Sequence, residues 1–420
     1  MKKRPDVTPV TVSIQALGGM GEGMGIHNGE AIYVPYSCAG DTLRVRLTQP
    51  KAQLLEILEP SADRVTPHCK HFTTCGGCNL QHLNTATYTE FKPRILQKIL
   101  SQIGANETVI QPMIEGGQES RRRVEFKVTS HKGVVDIGFF EARTHALIAV
   151  EECPISAPQL LAPLSAFKQS IESLKKPSHI KAIHVTALDS GLDVIIHVSQ
   201  PLNAKDREQL VQLATDQGFV RLSEQFEETL TLFDSGQALV EFAGVSVNFP
   251  TGAFLQATRR GEAAIAQLVT THLQGCEYIA DLYSGCGTYS FPLLAQAKRV
   301  SAYEGNDAMI AAMHNAILKA KLENKMSATA RDLYKNPLTA TELKHYDGIV
   351  INPSRNGALP QVKQIANSHL KKLVMVSCSP NSFKRDAKHL LDAGWRMIEA
   401  TPIDQFYWSA HLEIVAIFTK

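Results

Sequence analysis

Long apolar runs are missing from this sequence. None of its 420 residues lies in a run of the about 18 apolar residues that a helix needs to cross a bilayer. The first ten residues, MKKRPDVTPV, begin with basic side chains but lead into no apolar segment, unlike a signal peptide. We therefore predict a cytoplasmic protein without a membrane anchor.

A large excess of charge of one sign is also absent. The sequence has 43 Lys and Arg against 41 Asp and Glu, a formal net charge of +2. Proteins that hold nucleic acid by bulk charge are usually more basic, so any such contact must come from a local patch. The densest patch is the arginine run at residues 121–123. This run fits either a nucleic-acid contact or an ordinary solvated surface.

The chain is longer than one hydrophobic core usually organises, so two or three domains are expected. Its patterns divide it into residues 1–62, 63–245 and 246–420. In the first part, short strands and glycine-rich turns predict a small β-barrel. The glycine-rich stretch at residues 17–25 is followed by further strands and not by a helix, which excludes a dinucleotide-binding loop there.

The last part alternates between strand and helix. Apolar strands are predicted at residues 278–282, 299–303, 326–330, 348–351, 373–377 and 412–418, with helical patterns between them. This alternation is typical of a doubly wound α/β sheet, which binds ligands at the carboxyl ends of its strands. The middle part mixes strands and helices, so an α+β domain is expected there.

A glycine-rich turn follows the first of these strands, in the sequence DLYSGCGT at residues 281–288. It lacks the Gly-Lys-Ser/Thr of a phosphate-binding loop and the spacing of a dinucleotide fingerprint, which favours S-adenosylmethionine over NAD. Glu304 ends the next strand, where a carboxylate can accept both hydroxyls of a ribose. Asp332 follows the third strand and could lie near an adenine. A simple tight turn remains the alternative.

Cys378 and Glu413 are the candidates for covalent chemistry. Cys378 lies just past a buried strand and before a helical pattern, and a helix N-terminus lowers the pKa of a thiol. Glu413 is the single carboxylate in an almost wholly apolar last strand, and burial would raise its pKa towards that of a general base. The alternatives are a structural cysteine and an exposed glutamate at a strand end.

Four of the eight cysteines form a candidate metal site. Cys69, Cys75 and Cys78 have C-x5-C-x2-C spacing, and Cys153 precedes a proline. Disulfides are uncommon in the cytoplasm, so this clustering suggests metal binding. Four thiolates suit either an iron–sulfur cluster or structural zinc, and the spacing does not separate the two.

Taken together, these motifs resemble the bacterial RNA 5-methyluridine methyltransferase family. The branch they resemble most modifies 23S ribosomal RNA and carries an N-terminal TRAM domain and a 4Fe–4S cluster. The resemblance covers essentially the whole chain. In the last part it rests on Glu304, the glycine-rich turn and four short motifs: FLQ at 254–256, NPSR at 352–355, SCSP at 377–380 and HLE at 411–413.

The resemblance implies a Rossmann-like methyltransferase domain after a TRAM barrel and an iron–sulfur domain. It also implies that Cys378 is the nucleophile and that Glu413 is the base that removes the proton from carbon 5 of a uridine. The cysteines named above would hold a 4Fe–4S cluster. The implied contacts of S-adenosylmethionine are Gln256, Tyr283, Thr288, Glu304, Asp332 and Asn352.

Asn352 is a departure from the family pattern, which has Asp-Pro-Pro-Arg where this chain has Asn-Pro-Ser-Arg. An amide keeps the shape of the carboxylate, loses its charge and adds an N–H donor. The expected partner is RNA, with 23S rRNA favoured over tRNA, and the chain is expected to be monomeric. A non-catalytic RNA-binding relative and an iron–sulfur redox enzyme are the competing hypotheses.

Overall fold

The computed structural model describes residues 9–48, 51–142 and 144–420 of the protein. Within these ranges, no helix combines the length and the apolar character that crossing a bilayer requires.

The chain begins with a closed five-stranded barrel, as the sequence predicts. Its strands follow the order β1-β2-β3-β5-β4 around the barrel. Their bounds are Val10–Leu17 (β1), Gly23–His27 (β2), Glu30–Val34 (β3), Thr42–Thr48 (β4) and Lys51–Glu59 (β5). Alternate side chains such as Val12, Ile14 and Val45 form the barrel core.

The second strand of the barrel begins inside the glycine-rich stretch that the sequence pattern assigns to turns. A β-carbon on Gly23 would come within 2.1 Å of the Ser37 hydroxyl, and one on Gly25 within 2.5 Å of Val12. Gly23 and Gly25 are therefore needed because neighbouring side chains lie close to the strand backbone. Gly21 has a separate role, because its positive φ forms the turn before the strand.

The middle of the chain forms a seven-stranded sheet with the order β10-β9-β8-β11-β12-β13-β14. Its strands are Arg123–His131 (β8), Val134–Phe140 (β9), Leu147–Ala149 (β10), Ile180–Ala187 (β11), Leu192–Val198 (β12), Arg221–Gln225 (β13) and Thr229–Asp234 (β14). Three helices pack against it: Pro158–Leu161 (α2), Leu164–Glu172 (α3) and Ala204–Asp216 (α4). A hairpin of Leu239–Phe242 (β15) and Val245–Asn248 (β16) follows.

The last part contains most of a nine-stranded sheet with the order β19-β18-β17-β20-β21-β23-β22-β6, in which β7 also pairs with β22. Its own strands are Tyr278–Leu282 (β17), Arg299–Glu304 (β18), Met326–Ala330 (β19), Gly348–Ile351 (β20), Lys372–Ser377 (β21), Arg396–Asp404 (β22) and Glu413–Thr419 (β23). The helices are Arg259–His272 (α5), Ser290–Leu293 (α6), Asp307–Lys319 (α7), Ala340–Leu343 (α8), Leu359–Ala366 (α9) and Pro380–Asp392 (α10). The predicted α/β alternation is confirmed.

The remaining two strands of this sheet come from much earlier in the sequence. They are Val109–Ile110 (β6) and Ile114–Glu115 (β7), and both run parallel to β22. The helix before them, Thr85–Gln102 (α1), begins at the N-cap Asn84 and buries Leu96 and Leu100 in the core of the same sheet. Residues 85–115 thus pack with the last part of the chain, although they lie within the predicted central domain.

Candidate active site and cysteine cavity

The candidate active site lies where the strand order of the nine-stranded sheet reverses. From β17 the chain proceeds outwards to β18 and β19, then returns to β20 on the other side of β17. Strands β17 to β21 are parallel, so the loops that follow them meet at one edge of the sheet. Such a reversal opens a crevice at the carboxyl ends of the strands.

The strand register brings Cys378 and Glu413 to this same edge. Ser377, the last residue of β21, pairs with Ile414 of the antiparallel strand β23. Cys378 follows Ser377 and Glu413 precedes Ile414, so the two residues face each other one step beyond this pair. The Glu413 carboxylate is close enough to raise the pKa of the Cys378 thiol. The structure therefore brings these two candidate residues together.

The charge environment of Cys378 is mixed. Burial is the main cause that raises the pKa of its thiol, and Glu413 adds to it. Arg355 acts in the opposite direction, because its guanidinium stabilises the thiolate by charge and by a hydrogen bond. The helix α10 begins two residues later, with Ser379 as its N-cap.

Glu413 is a buried carboxylic acid. Its side chain is 3% exposed, and burial raises its pKa to about 8. In the part of the chain that the structure describes, no group hydrogen-bonds to this carboxylate. A carboxyl group with such a pKa carries its proton at pH 7 and can also release it, which suits an acid–base role.

A chain of amide and hydroxyl groups fixes Gln256 near Glu413. Gln256 Nε2 donates to the Tyr289 hydroxyl at 2.8 Å, and Gln405 Nε2 donates to Gln256 Oε1 at 2.9 Å. The negative charge of Glu413 contributes to raising the pKa of Tyr289, which places the two side chains close together. The orientation of the Gln256 amide is thus determined from both of its ends.

The glycine-rich turn after β17 is shaped by buried polar groups. Burial raises the pKa of Asp281 to about 7, and the Ser290 hydroxyl donates to its Oδ2 at 2.6 Å. Tyr283 has a φ of +60°, and its hydroxyl is buried without a hydrogen-bond partner. A buried hydroxyl without a partner is costly, which indicates a place for a polar ligand. Thr288 is half-buried at the end of the turn.

Glu304 ends β18 beside this turn, as predicted. Its carboxylate accepts hydrogen bonds from the backbone N–H groups of Gly285 (3.0 Å), Gly305 (2.8 Å) and Asn306 (3.0 Å). A carboxylate has about four acceptor positions, so these three bonds hold the group and leave capacity for a ligand hydroxyl.

Asp332 follows β19 and Asn352 follows β20, which lie on opposite sides of β17 and β18 in the sheet. Asp332 is about half exposed and accepts from the N–H groups of Tyr334 and Lys335 at 3.0 and 3.2 Å. Asn352 is half-buried, and its N–H donates to the Leu282 carbonyl, which draws it against the glycine-rich turn.

Comparison with known proteins identifies the chain. The sequence profile of the tRNA (Uracil-5-)-methyltransferase family matches residues 86–420. The protein belongs to this family. It is an RNA (uracil-5-)-methyltransferase.

Relatives of this methyltransferase extend over its full length. An uncharacterized RNA methyltransferase of Caulobacter vibrioides is 37% identical, with 97% of this chain and 99% of the relative aligned. The 23S rRNA (uracil(1939)-C(5))-methyltransferase RlmD of Vibrio vulnificus is 26% identical over 100% and 98% of the two chains. The tRNA (uracil-54, C5)-methyltransferase of Pyrococcus abyssi, solved with S-adenosyl-L-homocysteine, shares the fold. Its TM-score is 0.74 at 22% identity, covering 97% and 99% of the chains.

The four predicted cysteine ligands of the methyltransferase line one cavity of 350 Å³. The thiols are close enough to one another that the charge of Cys153 helps to raise the pKa of Cys69, Cys75 and Cys78, with burial as the larger cause. For Cys78 the pKa rises to about 12. Among the described residues, no three His, Cys, Asp or Glu side chains form a closed metal-binding group.

The side chains of the arginine run, residues 121–123, form neither the nucleic-acid patch nor the solvated surface that the sequence suggests. Arg122 is 3% exposed, pairs with Glu262 and donates to the Gln256 carbonyl at 2.9 Å. Arg123 donates to the Leu255 carbonyl at 2.9 Å, and Arg121 lines the cysteine cavity. The run is therefore neither a free nucleic-acid patch nor a solvated surface, because its side chains are used within the protein.

Several residues near the candidate site cannot be recognised from the sequence. Arg355 lies in the NPSR motif, but the motif does not reveal that its guanidinium lies near Cys378. Tyr289 and Gln405 had no signal at all, since their importance depends on contacts with Gln256 from distant parts of the chain. Phe254 is 58% exposed beside the site, with the Arg123 guanidinium 5.3 Å from its ring centre.

Proposed function

We propose that this enzyme methylates carbon 5 of a uridine in RNA through a covalent bond between Cys378 and carbon 6 of the base. The observation that carries the proposal is the pairing of β21 with β23, which brings the thiol and the buried carboxylate to one crevice. A uracil ring between them would present carbon 6 to sulfur and carbon 5 to Glu413.

The two side chains supply complementary steps. The Cys378 thiolate forms a bond to carbon 6, and the electron pair of the 5,6 double bond moves towards carbon 5 and the 4-oxygen. Carbon 5 then bonds to the methyl carbon, whose bond to the donor sulfur breaks with the electron pair left on that sulfur. Glu413 takes the proton from carbon 5, the double bond re-forms, and the thiolate leaves.

S-adenosylmethionine is the methyl donor that fits the glycine-rich turn, and it supplies an electrophilic methyl group when bound. The unpartnered Tyr283 hydroxyl supports a polar ligand there. We assign the ribose hydroxyls to the remaining acceptor capacity of Glu304 and the adenine to the side of Asp332. Thr288, Asn352 and Gln256 would border the same ligand.

Asn352 is compatible with catalysis because its side-chain oxygen is still an acceptor at the position where the family has Asp. Its added N–H could also donate to a different base. Altered base specificity is therefore an outcome that the mapping experiment below distinguishes from 5-methyluridine formation.

We further propose that Cys69, Cys75, Cys78 and Cys153 hold a 4Fe–4S cluster. They are half-buried and line one cavity, and a bound cluster would displace the protons of their thiols. Arg121 lies at the cavity, where its positive charge would offset the charge of four thiolates. The N-terminal barrel is proposed to be a TRAM domain, and the seven-stranded sheet is proposed to form the core of the iron–sulfur domain.

The favoured substrate is 23S rRNA, supported by the full-length similarity to the RlmD protein of Vibrio vulnificus. The test compares 5-methyluridine sites in the rRNA and tRNA of a deletion strain, complemented with the wild type or with Cys378→Ala. We expect one 23S rRNA site to be lost on deletion and restored by the wild type alone. Restoration by Cys378→Ala would refute the covalent mechanism, and loss confined to tRNA would refute the rRNA assignment.

A further inference from the structure

The loop between β22 and β23, residues 405–412, leads directly into Glu413 and is held by residues from outside the last part of the chain. The Trp408 carbonyl accepts two hydrogen bonds, from the N–H groups of Asn79 at 2.9 Å and Leu80 at 3.0 Å. Trp408 itself has a φ of +56°, a conformation that needs such support.

Asn79 also holds this loop through its side chain. Its Oδ1 accepts a hydrogen bond from the N–H of Ala410 at 3.1 Å, three residues before Glu413. Its Nδ2 donates to the Met20 carbonyl in the N-terminal barrel at 2.7 Å. Because Asn79 follows Cys78, one residue connects the barrel, the cysteine cavity and the loop that leads into the proposed base.

The position of the Glu413 carboxylate depends on its backbone. No group among the described residues hydrogen-bonds to this carboxylate, so neighbouring side chains do not hold its oxygen atoms. The carboxylate is instead placed by strand β23, which begins at this residue, and by the loop before it. A small shift of Ala410 would therefore move the carboxylate relative to a bound base.

We propose that Asn79 is a positioning residue for proton removal by Glu413. The inference rests on the covalent mechanism proposed above. In that mechanism, bond formation between sulfur and carbon 6 depends on Cys378, whereas release of the methylated base depends on Glu413. Loss of the Asn79 side chain should therefore slow release and leave bond formation nearly unchanged, so the covalent protein–RNA adduct should accumulate.

The experiment follows this adduct on denaturing gels. The purified full-length enzyme is mixed with total RNA from a deletion strain and with S-adenosylmethionine labelled in its methyl group. Asn79→Leu removes both side-chain hydrogen bonds, whereas Asn79→Asp keeps the acceptor for Ala410 and replaces the donor to Met20 with a carboxylate oxygen. Glu413→Gln serves as the reference in which the base itself is disabled.

We expect Asn79→Leu to slow adduct decay by about tenfold, the effect of one lost hydrogen bond. The rate of adduct formation and the KM for RNA should stay within about twofold of the wild type. Asn79→Asp should recover most of the decay rate. Melting temperature and iron content are measured for each variant, so that loss of folding or of the cluster is recognised.

Two results would overturn the inference alone. One is wild-type adduct decay in Asn79→Leu while Glu413→Gln accumulates the adduct. The other is an equal loss of formation and decay, accompanied by loss of iron or a lower melting temperature, which would make Asn79 merely structural. If no adduct forms in the wild type or in Glu413→Gln, the covalent mechanism itself is refuted.

Discussion

The Lys92 ammonium forms an ion pair with the Asp404 carboxylate although both side chains are completely buried. Lys92 also donates to the Phe406 carbonyl at 3.2 Å, and the Tyr88 hydroxyl donates to Asp404 at 2.5 Å. These contacts join helix α1 to the end of β22 and the start of the loop before Glu413. Burial lowers the pKa of Lys92, and the charge of Asp404 opposes this change.

Removing one partner of this pair should destabilise the protein strongly. Lys92→Met leaves the Asp404 carboxylate buried without a counter-charge, so we expect the free energy of unfolding to fall by about 3–5 kcal/mol. Urea unfolding followed by circular dichroism measures the change. Lys98→Met on the exposed side of the same helix is the control, with an expected change within about 0.5 kcal/mol. Equal stability of the two variants would contradict the prediction.

The pH dependence of turnover should follow Glu413. The pKa of this carboxyl is about 8, so the fraction that can accept a proton rises as the pH increases from 6 to 8. We expect the rate of adduct decay to rise over this interval and to level off about one pH unit above this pKa. In Glu413→Gln the residual rate of adduct decay should no longer rise with pH over this interval. A pH profile like that of the wild type would show that another group is the base.

The same ionisation predicts how stability changes with pH. The folded-state pKa of Glu413 lies above the ordinary value of 4.5, so folding favours its neutral form. The corresponding stabilisation is complete below about pH 4.5 and is lost as the pH rises through about 8. The melting temperature of Glu413→Gln relative to the wild type should therefore increase between pH 5 and pH 9. A constant difference would contradict this reasoning.

Loss of one proposed cluster ligand should release iron from the cysteine cavity. We expect Cys78→Ser to lose the visible absorbance of iron–thiolate bonds and to melt at a lower temperature, because cluster binding contributes to folding. Cys276→Ala is the matched control, since this buried cysteine lies outside the cavity. If anaerobically purified wild type contains stoichiometric zinc and no iron, the cluster assignment is wrong.

Much of the fold could be predicted because it depends on local patterns. The strands at residues 278–282, 326–330 and 348–351 have the predicted bounds. Short apolar segments that alternate with helices are typical of the strands of a parallel sheet. Strand β22 is not evident from the sequence, because Glu399 and Pro402 interrupt the alternation of apolar and polar residues. Its register is also irregular between Met397 and Glu399.

The sequence indicates the candidate site only where the type and position of a single residue suggest a chemical role. Cys378 stands out because it directly follows a buried apolar strand, and Glu413 because it is the single carboxylate in an apolar strand. The role of Arg122 could not be predicted, because the sequence does not reveal that Glu262 lies opposite it. The contact between Asn79 and Ala410 joins residues 331 positions apart, so no local pattern could indicate it.

The position of β23 has a consequence for synthesis of the protein. This strand contains seven residues almost at the end of the chain, yet it lies between β21 and β22 in the interior of the sheet. While the ribosome is still making these residues, β21 and β22 lack their shared neighbour and expose unpaired backbone groups. The sheet can be completed only after residues 413–419 have been made, and a product that ends before residue 413 lacks both the proposed base and the strand that joins the two halves of the sheet.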